Sequence, residues 1–472
     1  MAVTVSISKS TLKKGLMRIF NRKLNTLFLS VLAVLFHTHS SKVFAQTATI
    51  NAGTVKQTID GFGGPNGGIP SWDPGNSLTN AQVDTLFSQS GGIGLTIYRT
   101  NSPDGTTFPD LAVMQRAVAD GAQVELSLSG PPDAMRYSGS FADGTAGASG
   151  SCVSASYATY ASFVVSLLQT LSANGVTVSY IEVQTEPNTQ NNTFGACIFS
   201  GSALDSFVQA LAPALSAAGF TPKLSLGAAY PYANSPSYFG TCINDAACAS
   251  YLSIVSGHGY GYPDSPVLYN AQGKHYWMSE TSPYEDTCFN ATMIDESGCS
   301  GALTMAQNID AFLYTGQVSN YQWWELNYLN NGGDCQNCEL IDQNNDLTKR
   351  YYAMGNWSEF VRPGQVEVDA THNPQSGVTV TAFENQSTGA FEIVAVNTNG
   401  SSVSQTFSLS GLSASSVTPY VTDPNNNLAP QSAISVSGNT FTATLTGSSV
   451  TTFVAGGSNS GSPSHLTATM VQ

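Results

Sequence analysis

The feature that most constrains the fold is a regular alternation of β-type runs with helical stretches between Gln57 and about Arg350. Helical patterns such as residues 157–173 and 202–218 carry apolar side chains at i, i+3 and i+4, and a glycine closes each of them. Alternation over roughly 300 residues predicts an α/β fold, a (β/α)8 barrel in preference to an open doubly wound sheet. The predicted strands are residues 95–99, 123–127, 178–184, 223–227, 254–257, 275–279 and 321–325.

A glycine-rich run, Gly61-Phe62-Gly63-Gly64, follows the first β-type run of this region. No helix start carries it, and no Lys or Ser/Thr follows where a phosphate-binding loop needs one. We therefore predict a turn at the barrel entrance and exclude a nucleotide fold.

The residue pattern changes after residue 362, where short Val-, Thr- and Phe-rich runs alternate with Gly, Asn and Ser turns. Such spacing predicts an antiparallel β-sandwich. The run 48–55 has no helix after it, so we expect this N-terminal strand to join the sandwich. The predicted boundaries are 1–45 signal peptide, 46–56 sandwich strand, 57–362 barrel, 363–456 sandwich and 457–472 flexible tail.

The first 45 residues predict a secretory signal. Residues 1–23 contain six Lys and Arg and no acid, a short apolar stretch covers 27–36, and Val43-Phe44-Ala45 fits a cleavage site. The apolar stretch is too short to span a membrane. We expect a secreted protein, extracellular or periplasmic.

Without that leader, nine Lys and Arg face 31 Asp and Glu, a formal charge of about −22. So acidic a surface repels nucleic acid and anionic membranes, whereas a neutral polysaccharide remains a suitable partner. We expect a monomer.

All eight cysteines follow the leader, and an even number in an exported chain predicts disulfides. Eight cysteines allow 105 pairings. Closeness in sequence favours Cys242–Cys248, Cys288–Cys299 and Cys335–Cys338, which leaves Cys152–Cys197 as the long bridge. The single CxxC at Cys335 has no second pair and no histidine pair nearby, so we expect no zinc site.

Two strand-like runs end in a glutamate, Glu186 in Ile181–Asn188 and Glu280 in His275–Thr281. Carboxylates at the C-terminal ends of barrel strands are placed where barrels carry catalytic groups. Two of them facing one sugar suffice for glycoside hydrolysis without metal or organic cofactor. Glu182, four residues before Glu186, should point into the barrel or pair with a cation.

These segments together resemble glycoside hydrolase family 30, over essentially the whole chain after the leader. The resemblance rests on residues 57–64, Arg99, Ser129-Gly130-Pro131-Pro132, the two glutamate segments, residues 257–261, Trp323-Trp324, residues 351–355 and Arg362-Pro363-Gly364. It implies a retaining barrel with a side β-sandwich, Glu186 as acid/base and Glu280 as nucleophile. A retaining mechanism predicts carboxyl groups about 5–5.5 Å apart.

Further substrate-binding residues are expected around this pair. Arg99 is either the cation beneath Glu280 or part of a barrel-floor salt bridge, and Trp324 either floors the sugar site or is core. Tyr260 should bond the nucleophile, while His258 either lines the cleft or is a satisfied buried histidine. The expected substrate-binding set is Arg99, Thr185, His258, Tyr260, Tyr284 and Trp324.

Departures from the family pattern bear on substrate. Thr185 replaces the Asn that usually precedes the acid/base, and Glu325 follows Trp324 where glucuronoxylan-specific members carry Tyr and Arg. A glutamate repels a glucuronate, although Arg136 lies nearby in sequence. We therefore predict an endo-β-1,4-xylanase that does not depend on glucuronic acid branches. The alternatives are a β-1,6-galactanase or β-1,6-glucanase, and, from another class, a non-catalytic carbohydrate-binding protein.

Overall fold

The computed structural model describes residues 47–66, 78–141, 143–189, 197–260, 266–283, 292–295, 300–327, 339–342 and 344–456. These described residues all fall in one compact unit. Within the described part, the chain forms a closed barrel and a large β-sheet beside it.

Eight parallel strands close the barrel in chain order, each hydrogen-bonded to the next and the last to the first. Their side chains are almost all buried, as expected for strands covered by helices on one side and packed inside on the other. The strands are β2 (Gly61–Pro65), β3 (Ile97–Asn101), β4 (Gln123–Ser127), β5 (Val178–Glu182), β6 (Lys223–Ala229), β7 (Leu252–His258), β8 (His275–Thr281) and β9 (Asn320–Trp323).

The predicted turn at Gly61–Gly64 is wrong, because this run is the first barrel strand, β2. Its glycines are required by close backbone contacts. A Cβ on Gly63 would lie 2.0 Å from the Ile97 carbonyl oxygen, and one on Gly64 would lie 2.2 Å from that of Trp323. Close strand approach therefore selects residues that read as a turn in sequence.

Eight helices accompany the barrel strands in the described part. Hydroxyl side chains of Thr79, Ser156, Ser200 and Thr348 each accept a backbone N–H at a helix start, which satisfies a group that the helix leaves unpaired. The helices are α1 (Asn80–Phe87), α2 (Leu111–Ala119), α3 (Tyr157–Ala173), α4 (Gly201–Ala217), α5 (Pro236–Asn244), α6 (Ala246–Tyr251), α7 (Ala302–Tyr314) and α8 (Lys349–Ser358).

The inside of the barrel is layered. Ile97, Tyr180, Ile254 and Trp277 form a small apolar cluster. Arg99 and Glu182 lie two residues further along the strands of Ile97 and Tyr180, towards the C-terminal ends. The apolar layer therefore supports a polar layer that carries the functional groups.

The side sheet contains ten strands, and the N-terminal strand joins it as expected. Strand β1 (Ala48–Thr58) runs antiparallel to β10 (Val366–Ala370) and parallel to β13 (Val403–Ser410). The other strands are β10 (Val366–Ala370), β11 (Val378–Asn385), β12 (Ala390–Asn397), β13 (Val403–Ser410), β14 (Ser416–Thr422), β15 (Ala429–Pro430), β16 (Ile434–Ser435), β17 (Thr440–Leu445) and β18 (Ser449–Ala455).

This sheet curls over its own core. Phe441 of β17 packs against Phe453 of β18, with ring centroids 5.3 Å apart, although β17 ends the sheet order and β18 lies near its other end. Phe407 contacts both rings. The sandwich-like side domain predicted from sequence is thus confirmed.

Helix α8 fastens the barrel to the side sheet. Asn356 Nδ2 donates to the Tyr420 carbonyl at 3.1 Å and to Thr452 Oγ1 at 3.0 Å. At the other end of the helix, Lys349 Nζ donates to the carbonyls of Asp423 and Asn426 at 2.7 and 2.9 Å. These buried polar contacts couple the two parts because each would cost free energy if left unmade.

Two of the four expected disulfides are confirmed, Cys152–Cys197 and Cys242–Cys248. The other two pairs, Cys288–Cys299 and Cys335–Cys338, lie outside the described residues. Among the described helices, none combines the length and apolar character that a membrane crossing requires.

Candidate active site

The expected site residues converge at the C-terminal mouth of the barrel. Arg99 lies in β3, His258 ends β7 and Glu280 lies near the end of β8. Thr185, Glu186, Tyr260 and Trp324 follow directly after strands β5, β7 and β9. Tyr284 lies outside the described residues.

Arg99 is the hub of the cluster. Its Nη1 donates to a carboxylate oxygen of Glu280, and its Nη2 donates to Glu182 Oε1 at 3.0 Å and to Thr185 Oγ1 at 3.2 Å. The guanidinium is fully buried. Burial acts to lower the pKa of Arg99, but the carboxylates of Glu280 and Glu182 outweigh it and raise that pKa above the usual value. Arg99 therefore stays a cation and fixes two carboxylates at once.

Glu182 anchors the layer beneath. It accepts from Ser127 Oγ at 2.8 Å in addition to Arg99. Burial acts to raise the pKa of Glu182, but Arg99 and the imidazolium of His258 lower it to about 2. The prediction that Glu182 points inward and pairs with a cation is confirmed.

His258 bridges the two candidate glutamates. Its Nδ1 lies 3.0 Å from Glu186 Oε1 and 3.6 Å from Glu280 Oε1. Burial acts to lower the pKa of His258, yet the surrounding carboxylates, Glu280 foremost, raise it to about 10. A protonated His258 is the second cation of the site.

Tyr260 holds the other oxygen of Glu280. Its hydroxyl donates to Glu280 Oε1 at 2.6 Å, and burial together with this carboxylate raises its pKa well above the usual range. The phenol therefore stays a proton donor. The half-exposed Tyr230 meets the Tyr260 ring edge-on, with centroids 5.8 Å apart.

Glu186 has an unusual backbone. Its φ is +39°, in the left-handed region, and its N–H donates to the Ala228 carbonyl at 3.0 Å. Left-handed backbone at a glutamate costs free energy and persists only where surrounding structure holds it. Asn188 contributes to this hold, since its Oδ1 accepts from the Tyr230 N–H at 3.1 Å.

The carboxylates of Glu186 and Glu280 lie close together. One oxygen from each and one His258 nitrogen are all within 4.8 Å of one another. Glycosidases that invert configuration separate their carboxyl groups by about 6.5–9.5 Å, whereas retaining enzymes use about 5–5.5 Å. An oxygen pair within 4.8 Å is closer than the inverting range and is consistent with a retaining enzyme.

Among the residues that the structure describes, two clusters bring possible metal-binding atoms together, and these three residues form one of them. Metal binding requires a neutral imidazole, whereas neighbouring carboxylates favour the protonated form of His258. The second cluster, Asp205 with Cys242 and Cys248, has its sulfurs joined in a disulfide. Neither set suits a metal ion in this state.

Comparison with known proteins gives long, consistent matches. No family model matches the chain. The chain is 29% identical over 435 residues to glucuronoxylanase XynC of Bacillus subtilis strain 168, which covers 90% of this chain and 96% of that one. The solved xylanase Xyn30A of Clostridium acetobutylicum, of glycoside hydrolase family 30 subfamily 8, superimposes with a TM-score of 0.73 at 27% identity, covering 87% and 99%. Family 30 xylanase C of Talaromyces cellulolyticus gives 0.74 at 25% identity, covering 87% and 100%.

Over almost its whole described length, the chain is similar in sequence and fold to members of glycoside hydrolase family 30. It is accordingly an O-glycosyl hydrolase of the retaining kind, with the barrel and side sheet of its relatives.

Arg136, the cation that the sequence places near the site, is engaged by its own loop. Arg136 is 3% exposed, its Nε donates to the Pro131 carbonyl at 2.6 Å and its Nη2 to that of Ser129 at 3.2 Å. Its guanidinium also packs 4.5 Å from the Phe141 ring centroid. Arg136 therefore holds the loop after β4, and Glu325 is buried beside Trp324.

Sequence reasoning missed several residues around the candidate site. Tyr230 and Asn188 form the rim beside Glu186, and Glu125 and Gln322 lie beneath it. Even side-chain spacing along strand β4 places Glu125 inside the barrel together with Ser127. This alternation could have identified Glu125 from the sequence, because it predicts that the charged side chain of a buried strand faces the barrel interior.

Proposed function

We propose that this protein is a secreted endo-β-1,4-xylanase that cleaves xylan chains with retention of configuration and without a requirement for glucuronic acid branches. The observation that carries the proposal is the close approach of Glu186 and Glu280, with Arg99, His258 and Tyr260 bonded around them. Relatives named as xylanases over almost the full described length support the substrate class.

In the first step, Glu280 is the nucleophile. One of its oxygens attacks the anomeric carbon, the glycosidic bond breaks, and Glu186 gives its proton to the departing sugar oxygen. Arg99 and Tyr260 orient the attacking carboxylate, which limits the motion that must be frozen in the transition state. The product is a glycosyl ester on Glu280.

In the second step, Glu186 is the base. It takes a proton from water, the resulting hydroxide equivalent attacks the anomeric carbon, and Glu280 leaves as a carboxylate. His258, held as a cation, stabilises the ionised Glu186 that results from the first step. Thr185 takes the place of the usual amide and offers a single hydroxyl towards the sugar.

Independence from glucuronate branches is supported by charge. Some relatives carry glucuronoxylanase in their names. In this chain, the candidate cation Arg136 already binds backbone carbonyls, and Glu325 adds an acid next to Trp324. Among the described residues, no cation is therefore available to bind an acidic branch. The binding of an unbranched xylan chain needs no such cation and is unaffected. Export of the protein is supported by the basic, apolar leader in residues 1–45.

The test is product analysis on a matched set of polysaccharides, namely linear xylan, glucuronoxylan, β-1,6-glucan and β-1,6-galactan, with Glu280→Gln as the inactive control. We expect cleavage of both xylans with kcat/KM within about threefold of each other, and β-configured first products by NMR. Glucuronoxylan cleaved about a hundredfold better would refute branch independence. Cleavage of the β-1,6-linked glycans alone would replace the substrate, and binding without any cleavage would show a carbohydrate-binding protein.

A further inference from the structure

Another buried glutamate, Glu125, lies beside Arg99 on the neighbouring barrel strand. The Cα atoms of Arg99 and Glu125 are register partners on β3 and β4. Gln322 Nε2 on β9 donates to Glu125 Oε2 at 2.5 Å across the barrel interior. Both side chains are completely buried. Glu125 therefore belongs to the layer that supports Arg99 and does not reach the substrate cleft.

Several buried atoms in this layer have no hydrogen-bond partner among the described residues, and they include Arg99 Nε, Glu125 Oε1, Glu182 Oε2 and Gln322 Oε1. Arg99 instead uses its two terminal nitrogens on Glu280 and Glu182. The guanidinium thus keeps one unpaired donor, Nε, while Glu125 on the neighbouring strand keeps one unpaired carboxyl oxygen. An ionised Glu125 would therefore compete with Glu280 and Glu182 for the hydrogen bonds of the Arg99 guanidinium.

Charged and titratable groups face Glu125 from several strands. They are Arg99 on β3, Tyr180 and Glu182 on β5 and His258 on β7. Burial, and next the negative charge of Glu182, raise the pKa of Glu125 to about 8, against the opposing effects of Arg99, Gln322 and His258. Of the two adjacent carboxyl groups, Glu182 is ionised and Glu125 keeps its proton at neutral pH.

We propose that Glu125 is a positioning residue whose proton keeps Arg99 committed to the nucleophile Glu280, and whose ionisation sets the alkaline limit of the glycosylation step. The inference rests on the proposed roles of Glu186 and Glu280. An ionised Glu125 would be a third carboxylate competing for the Arg99 guanidinium. Drawing Arg99 towards it would release an oxygen of Glu280, and small displacements of a nucleophile cost large factors in rate.

Glu125→Gln tests this directly, because glutamine has nearly the same shape and stays neutral at every pH. The substrate is 2,4-dinitrophenyl β-xylobioside, whose leaving group departs without a proton, so the titration of Glu186 does not obscure the result. We expect the wild-type kcat/KM to fall above about pH 8, in line with the pKa of Glu125. In the variant, the fall should move up by about one pH unit or more, towards the ionisation of His258.

A second variant protects the test if Glu125→Gln folds poorly. Gln322→Met removes the hydrogen bond that favours ionised Glu125, so the pKa of Glu125 should rise further and the alkaline fall should again move up. Identical alkaline profiles for wild type and both variants would overturn the proposal, as would a variant whose profile falls at lower pH.

Glu392→Gln is the matched control. Glu392 is also buried, burial raises its pKa to about 8, and it lies in β12 of the side sheet. Its replacement should change the pH dependence of thermal stability and leave the kcat/KM profile unchanged. If no xylosyl substrate is cleaved, the proposed function is wrong. The pH dependence of thermal stability, which Glu125→Gln should flatten, then tests the proton on Glu125 independently of activity.

Discussion

The Nδ1 atom of His258 lies 3.0 Å from Glu186 Oε1 and within 3.6 Å of Glu280 Oε1. One imidazolium therefore lies between two carboxylates that would otherwise repel each other. This contact joins the two halves of the proposed mechanism, because each step changes the charge on Glu186 while His258 remains in place.

Replacing His258 with Asn should lower kcat by about 10²–10³, the usual cost of removing one buried charge-stabilising donor. The loss should appear on polysaccharide, where proton transfer by Glu186 matters most. His275→Asn is the control, since His275 bonds Asp60 at the N-terminal end of the strands. Equal losses in both variants would indicate a general effect on folding and would contradict a role for His258 in the site.

The two glutamates should respond differently to azide. Glu186→Gln should form the glycosyl intermediate from an activated aryl glycoside, stall for lack of a base, and recover when azide replaces water as nucleophile. The recovered product should be the β-glycosyl azide. Glu280→Gln should not give this product, because no covalent intermediate forms.

Polysaccharide assays complete this comparison. Both variants should lose almost all activity on xylan, where the leaving group needs a proton. Near-wild-type activity in either one would contradict the mechanism. Rescue in the Glu280 variant with retention of configuration would reverse the two roles.

The two confirmed disulfides should differ in their contribution to stability. Cys152–Cys197 closes 45 residues and Cys242–Cys248 closes six. Chain entropy predicts losses of about 4 and about 2 kcal/mol for their removal by serine pairs. Urea unfolding of the two double variants measures this, and a larger loss for the short bridge would refute the entropic account.

The longer bridge should also affect activity. The backbone next to Cys197 touches the segment after Glu186, since Phe199 N–H donates to the Pro187 carbonyl at 2.9 Å. Breaking Cys152–Cys197 should therefore lower kcat more than KM, whereas breaking Cys242–Cys248 should leave both nearly unchanged.

Buried glutamates away from the site should make the protein most stable at mildly acidic pH. Burial raises the pKa of Glu392 and Glu339 to about 8, and of Glu359 and Glu367 to about 7. Between the usual glutamate pKa of about 4.3 and these values, the folded state holds protons that the unfolded chain has released, so stability falls as pH rises.

Glu182 acts in the opposite sense, because its pKa is lowered to about 2 and its contribution disappears as pH falls below about 4.3. The Tm should therefore be highest near pH 4–5 and decline towards pH 8. Scanning calorimetry across pH 3–9 measures this, with Glu392→Gln expected to flatten the decline. A Tm that rises steadily to pH 8 would contradict the prediction.

The sequence predicted the barrel well and its strand ends less well. Residues 157–173 coincide with α3, since helical periodicity runs along the segment and the Ser156 side chain caps its start. The strand expected at 95–99 instead covers Ile97–Asn101, so that Arg99 lies inside β3 and not at its end. Side-chain pattern identifies a strand, but where pairing begins and stops depends on neighbours distant in sequence.

By itself, the sequence determined the parallel barrel, the side sheet with its N-terminal strand, two disulfides and the two candidate glutamates. These follow from local periodicity, spacing and residue chemistry, which the chain carries wherever it folds. Only the tertiary structure decided that Gly61–Pro65 is a strand, that Arg136 is occupied by its own loop, and that Glu125 lies beside Arg99. Close backbone approach, burial and charge coupling are relations between residues far apart in the chain. Their free energies exist only once the barrel has closed and excluded water.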